Sequence, residues 1–190
     1  MSGTPDPDWL YHHFEARGPA AELAAFRQAA AGAGLIPWQL DLPALEEDWL
    51  HLMLAPGPHE RGISLEGARI LAGQLREAVA RQQARAEALA LTGTACPLDL
   101  NALFPVPREI LALGPADPQA RDWLWREWGT PCALRHVAAA PGKSADTATH
   151  GVMRLRFWSA DWTPWRALQR MRDRFPTISF SLQPVYDEGA

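Results

Sequence analysis

Val152-Met153-Arg154-Leu155-Arg156-Phe157-Trp158 sets Met153, Leu155 and Phe157 against Arg154, Arg156 and Trp158 at alternating positions. A period of two is the mark of a strand that lies on a core by one face only. Next, Trp165, Leu168, Met171 and Phe175 recur at helical spacing with Arg166, Arg170 and Arg174 on another face, which predicts a helix from about Thr163 to Phe175 that buries the four apolar residues. Pro176 halts it, and Ile178, Phe180 and Leu182 alternate with Ser179, Ser181 and Gln183 as a last strand, Ile178 to Val185.

The other end of the chain has the same plan. Leu10, His12, Phe14 and Ala16 alternate with Tyr11, His13, Glu15 and Arg17; Gly18-Pro19 ends the strand, and Leu23, Phe26, Arg27 and Ala30 follow at helical spacing until Gly32 and Gly34. Two such halves make a split βαβ sandwich. The fold class expected is therefore α+β: a ferredoxin-like antiparallel sheet of Leu10 to Arg17, Leu134 to Val137, Val152 to Trp158 and Ile178 to Val185, with both helices on one face. A single domain is expected over 1–190, with a first β-α half at 10–34, a mostly helical insertion at 37–128 and a ββαβ portion at 132–186. A boundary near Leu91 would instead make two small domains, each with a thin core.

Within the insertion, Trp38 to Leu42 and Asp48 to Ala55 read as extended pieces, the second alternatively as a short buried helix. Ser64 caps the longest helix, over 64–91, with Leu65, Ala68, Leu71, Leu75, Ala78, Val79, Gln82, Ala86 and Leu89 in one stripe. Cys96 to Pro107 reads as an irregular segment laid on the core. Pro118 to Trp128 reads as a short helix with Trp125 and Trp128 on one face, stopped by Gly129. Pro141 to His150, without apolar periodicity, reads as a flexible loop.

Composition excludes several classes. At 190 residues, 47% hydrophobic and 21% charged, the chain has the make-up of an ordinary globular protein. It lacks an apolar run long enough to span a bilayer, and Met1 to Asp6 lacks the features of a signal peptide, so a cytoplasmic protein with no membrane partner is expected. Cys96 and Cys132 are too few for a disulfide scaffold and are expected as buried thiols. A net charge of −4 gives no global attraction for nucleic acid. Nine tryptophans supply either core or a sticky aromatic surface.

Four stretches carry a family resemblance. They are Asp8-Trp9-Leu10-Tyr11-His12-His13-Phe14; Leu98-Asp99-Leu100-Asn101-Ala102-Leu103-Phe104-Pro105-Val106-Pro107; Trp125-Arg126-Glu127-Trp128-Gly129-Thr130; and Phe157-Trp158-Ser159-Ala160-Asp161-Trp162-Thr163-Pro164, with Phe175-Pro176 and Tyr186-Asp187-Glu188 after it. In this order the chain resembles the plasmid- and phage-borne YubB ferredoxin-like group of small bacterial proteins. It departs from that pattern at Pro7-Asp8-Trp9-Leu10, where the family usually has Pro-Asn-Trp-Cys, and at Thr130-Pro131-Cys132, where it has Thr-Lys-Trp. The resemblance implies a ferredoxin-like sheet and a mobile-element context, and brings no catalytic residue with it.

If Met153, Leu155 and Phe157 face the helices, then Arg154, Arg156, Trp158, Ser181 and Gln183 face away. Arginines beside an aromatic on an open sheet are what RNA-recognition modules use to neutralise phosphates and stack bases. The same face covered by the insertion or by a second subunit is the plainer alternative. The leading expectation is a non-enzymatic binding or accessory protein acting through this face on a protein partner or its own copy. The second is nucleic-acid binding by the same residues, helped by Arg166, Arg170 and Arg174. No cofactor or metal is expected: Cys132 and His136 stand four apart, but neither Cys-x-x-Cys nor His-Glu-x-x-His occurs. Without an orienting group, Cys132 and His136 are an ordinary pair, not a nucleophile and base.

Overall fold

The computed structural model describes residues 7–57, 59–60, 62–140 and 149–186. The loop expected at Pro141 to His150 lies mostly outside them. The chain is α+β, with seven helices and one four-stranded antiparallel sheet among the described residues. Strand β1 (Trp9–Pro19) runs into helix α1 (Ala20–Ala30). Helices α2 (Leu42–Leu54), α3 (Leu65–Thr92), α4 (Leu100–Leu103), α5 (Arg108–Leu111) and α6 (Pro118–Glu127) fill the insertion. Strands β2 (Arg135–Ala139) and β3 (His150–Ala160), helix α7 (Trp165–Arg174) and strand β4 (Ser179–Val185) close the chain. The sheet order is β2-β3-β1-β4.

The alternation read in the strands sorts the two faces of the sheet. His12, Phe14 and Ala16 of β1, Met153, Leu155 and Phe157 of β3, and Phe180 and Leu182 of β4 are buried, and α1 and α7 cover them with Leu23, Phe26, Leu168 and Met171. Phe26 meets Phe14, Phe175 and Phe180 with ring centroids 5.1–6.3 Å apart. Leu98, Leu100, Leu103, Leu124 and Trp128 of the insertion join the same core.

The stretches that carry the family resemblance are the joints of this core. Trp128, fully buried, donates its indole N–H to the Phe104 carbonyl (3.1 Å), and Thr130 donates its hydroxyl to the Ala160 carbonyl (2.9 Å). Gly129 between them has φ +78°, a conformation that disfavours any Cβ, and an added Cβ would stand 3.1 Å from the Arg166 nitrogen. Asp99 accepts from the amides of Gly34 and Asn101 (both 2.8 Å), and Asn101 accepts from the Val106 amide (3.0 Å). These landmark residues hold the insertion onto the sheet.

Four expectations are corrected. Asp48 to Ala55 is not extended: Asp41 accepts from the Ala44 amide (3.1 Å) and Pro43 sits in the first turn, so the whole of Leu42–Leu54 is helical. It is also not a buried helix, since none of its residues is buried. Trp38 to Leu42 forms no strand; its backbone is tied instead to the Leu111 carbonyl and the Gln83 side chain. On α7 the buried residues are Ala167, Leu168 and Met171, whereas Trp165 is 46% exposed, because the helix begins at Trp165 and its first side chain lies beyond the core. Trp125 is likewise exposed while Trp128 is buried, and it is Trp123 that meets Trp128 edge to face at 6.2 Å.

Candidate functional site

Helices α1 and α7 cover one face of the sheet, and the side chains of the other face are exposed or half-buried among the described residues. The pairing of β1 with β3 and β4 arranges that face in rows: Trp158, Tyr11 and Val185; Arg156, His13 and Gln183; Arg154, Glu15 and Ser181. Of these, Trp158, Arg156, His13, Ser181, Gln183 and Val185 are exposed. Five of the seven residues singled out from sequence thus share one surface.

The rows differ in chemistry. Trp158 packs on Tyr11 (centroids 5.1 Å, planes at 49°), and Tyr11 meets His13 edge-on at 5.3 Å. Trp9, Leu10, Tyr11, Trp158, Val185 and Tyr186 line a shallow hollow of about 440 Å³. The Arg135 guanidinium lies 4.0 Å above the Trp9 ring, and Arg135 is the β2 partner of Trp158. Beyond the aromatic row, Glu15 accepts from Arg17 and from Arg154 Nε (2.8 Å). The Arg17 hydrogen bond first, then that of Arg154, holds the Glu15 carboxyl below its ordinary pKa against the opposing effect of burial. Glu15 therefore stays ionised and occupies two guanidiniums, while Arg135 and Arg156 pair with no carboxylate among the described residues. The result is a basic, aromatic surface on a chain of net charge −4.

Arg166 and Arg170 are placed elsewhere. They ride on α7, on the far side of the sheet: Arg170 donates to Glu127 (2.8 Å) and lies 4.2 Å over the Phe104 ring, and Arg174 donates to the Leu103 carbonyl (2.8 Å). Arg170 and Arg174 fasten the helix to the insertion, and the structure does not bring the α7 arginines to the open face. Conversely, Trp9, Tyr11, His13 and Arg135 belong to the site although the sequence does not single them out. For three of them a signal exists: the alternation that buries His12 and Phe14 turns Trp9, Tyr11 and His13 outward.

Beneath the aromatic row, His12 is fully buried. Its ring stacks on Phe157 at 5.2 Å, Nδ1–H donates to the Leu10 carbonyl and Nε2 accepts from the Thr163 hydroxyl (both 2.9 Å). Both nitrogens are satisfied in the neutral form, and burial, outweighing the Leu10 bond, lowers the pKa from its ordinary value. The unfolded chain then takes up a proton at higher pH than the native one. Stability is expected to be full above about pH 6.5 and to fall as pH drops below it, by up to about 1.4 kcal/mol per unit until the native pKa is passed. Urea denaturation at pH 7.5 and 5.5 checks this; a His12→Gln variant that keeps the same slope would assign it to other groups.

Among the described residues no three His, Cys, Asp or Glu side chains converge as a metal would require. Burial raises the pKa of the Cys132 thiol, which disfavours the nucleophilic thiolate. No helix among the described residues is long and apolar enough to cross a membrane. No family model, curated protein or solved structure matches the chain.

Proposed function

We propose that this is a non-enzymatic binding protein whose open sheet face takes single-stranded nucleic acid, bases stacking on Trp158, Tyr11 and Trp9 and phosphates meeting Arg156 and Arg135. The observation that carries the reading is the uncovered row of rings on the two central strands with carboxylate-free guanidiniums beside it. Each ring offers a sequence-tolerant stacking surface worth about 1–3 kcal/mol per base. Glu15, the one acid of the rows, is already neutralised by Arg17 and Arg154. Arg166, Arg170 and Arg174 play no part in this reading.

The fold is read as ferredoxin-like, supported by the β2-β3-β1-β4 order and by a helix after each central strand. Membership of the YubB group, and with it an accessory role on a mobile element in the cytoplasm, rests on the order of the landmark stretches in the sequence. A second reading keeps the surface and changes the ligand: tryptophan, tyrosine and arginine are also the residues that anchor protein interfaces, and Ser181 and Gln183 would add hydrogen bonds at the rim.

Fluorescence anisotropy of labelled mixed-sequence oligonucleotides, at several salt concentrations, tests the first reading. Binding is expected to weaken about tenfold or more in Trp158→Ala. In Arg156→Ala it weakens too, and the salt slope flattens by about 0.7 because one phosphate fewer is neutralised. Absence of binding at low ionic strength ends the nucleic-acid reading; affinity that both variants leave unchanged ends the choice of surface.

A further inference from the structure

The sheet face is not the only surface left open. Helices α2 and α3 pack on one another as a hairpin, joined by the Arg76–Glu46 ion pair (3.3 Å), and among the described residues α3 has no other extensive helix or strand neighbour. A hairpin of two helices has one side against the other helix and no second layer to bury the rest. Helix α2 has the apolar content of a buried element. On α2, Leu42, Leu45, Trp49, Leu50, Met53 and Leu54 are all only half-buried, and Leu52 is 60% exposed. On α3 the only buried residues are Ala68 and Ala72. Beside them Leu71, Leu75, Ala78, Gln82 and Leu89 follow at spacings of three, four and seven, and the three leucines are 38–44% exposed. This is the seam expected of a helix that packs on a further helix. Of the stripe read in the sequence Ala68 is buried, whereas its leucines are left exposed among the described residues of one chain.

We infer that the covering element is a second copy of this chain, and that two α2–α3 hairpins pack face to face about a two-fold axis along the helices, each α2 antiparallel to the other copy's α3, in a four-helix layer. Charge argues for self-pairing in this sense. Helix α2 carries Glu46, Glu47 and Asp48 and neither lysine nor arginine, whereas α3 carries Arg69, Arg76, Arg81 and Arg85 against Glu66, Glu77 and Glu87. A two-fold axis that lays α2 of one copy on α3 of the other brings opposite charges together twice; α2 laid on α2 would oppose like charges. Area argues the same way. At 1.5 Å per residue α3 is about 42 Å long and α2 about 20 Å. With the axes about 8–10 Å apart, the hairpin presents roughly 400–800 Å², near the per-partner area of a stable interface.

The test is sedimentation or light scattering of the full chain across a concentration series. A species of twice the 21.0 kDa chain mass is expected for the natural sequence. Leu71→Glu combined with Leu75→Glu is expected to give the single-chain mass while circular dichroism is unchanged, because both positions lie outside the described core. Since a doubly substituted helix can also fail to fold, charge exchange supplies an independent arm. Glu47→Arg with Asp48→Arg is expected to weaken association at least tenfold, and adding Arg81→Glu with Arg85→Glu to restore it. A single-chain mass for the natural protein at all concentrations overturns the inference. So does a dimer that persists through the helix variants and dissociates in Trp158→Ala, which would put self-association on the sheet face.

Discussion

Trp128→Ala is expected to lower the free energy of unfolding by about 4 kcal/mol, in the range of about 3–5 kcal/mol found when a large buried aromatic is truncated. Trp128 is fully buried and is the largest fully buried side chain among the described residues. Its loss leaves a cavity between the insertion and the sheet, and the Phe104 carbonyl loses its indole partner. Against a total of about 5–15 kcal/mol for a domain, that change removes about a quarter to four fifths of the stability. Trp128→Phe separates the two contributions: it keeps most of the volume and forfeits the hydrogen bond, at a cost of about 1–3 kcal/mol. Urea titrations followed by circular dichroism measure both. A loss below about 1 kcal/mol for the alanine variant would contradict the placement of this indole in the core.

The second large effect is expected at Gly32, where the reason is space. Gly32 exchanges backbone hydrogen bonds with Cys96 (3.0 and 2.9 Å), and an added Cβ would press on the Asp99 carboxylate and lie 2.7 Å from the Asp99 Cβ. Asp99 cannot yield, being buried and held by the amides of Gly34 and Asn101. Gly32→Ala is therefore expected to cost about 3 kcal/mol, from overpacking together with displaced hydrogen bonds to a buried acid. Coupling makes the prediction specific. In an Asp99→Gly background every Asp99 side-chain atom that the added Cβ meets is gone, so the same Gly32 substitution should cost about 1 kcal/mol or less beyond what Asp99→Gly costs alone. Equal costs in both backgrounds would show that the two residues do not meet.

Legibility in the sequence follows the range of the interactions involved. The four strands and the long helix are plain because each declares itself within a few residues. Two-residue alternation marks Phe14–Ala16 and Met153–Phe157, and Ser64, whose hydroxyl accepts from the Gly67 amide (3.0 Å), marks the start of α3. Leu42–Leu54 misleads because its run Trp49-Leu50-His51-Leu52-Met53-Leu54 is apolar at nearly every position and so fits either period; the deciding cap, Asp41, lies outside the run. Trp165 has the spacing of a core residue and is exposed, since spacing fixes a side chain's direction around the helix and not whether the core extends as far as that turn.

The site shows the same division. That Arg154, Arg156 and Trp158 point away from the helices is decided by the alternation in β3 alone, and Ser181 and Gln183 likewise in β4. Which residues stand beside them is not. Tyr11 meets Trp158 only because β1 lies next to β3 in this register, and a slip of one residue would turn Tyr11 into the core and His12 out. Arg170 and Arg174 look in the sequence like further basic residues for the same face, but α7 crosses the opposite side of the sheet and engages them with Glu127 and the Leu103 carbonyl.

Periodicity, caps and prolines, all short-range, marked by themselves the four strands of the sheet, four of the seven described helices and the greasy faces of β1, β3 and β4, and left Trp38 to Leu54 misread as extended. Strand order and register brought the rings of Trp9, Tyr11 and Trp158 together with Arg135 and Arg156, and layer packing left the α2–α3 leucines uncovered. The strand pairings join segments far apart along the chain, and only burial of a shared core selects among the many pairings that local pattern permits equally.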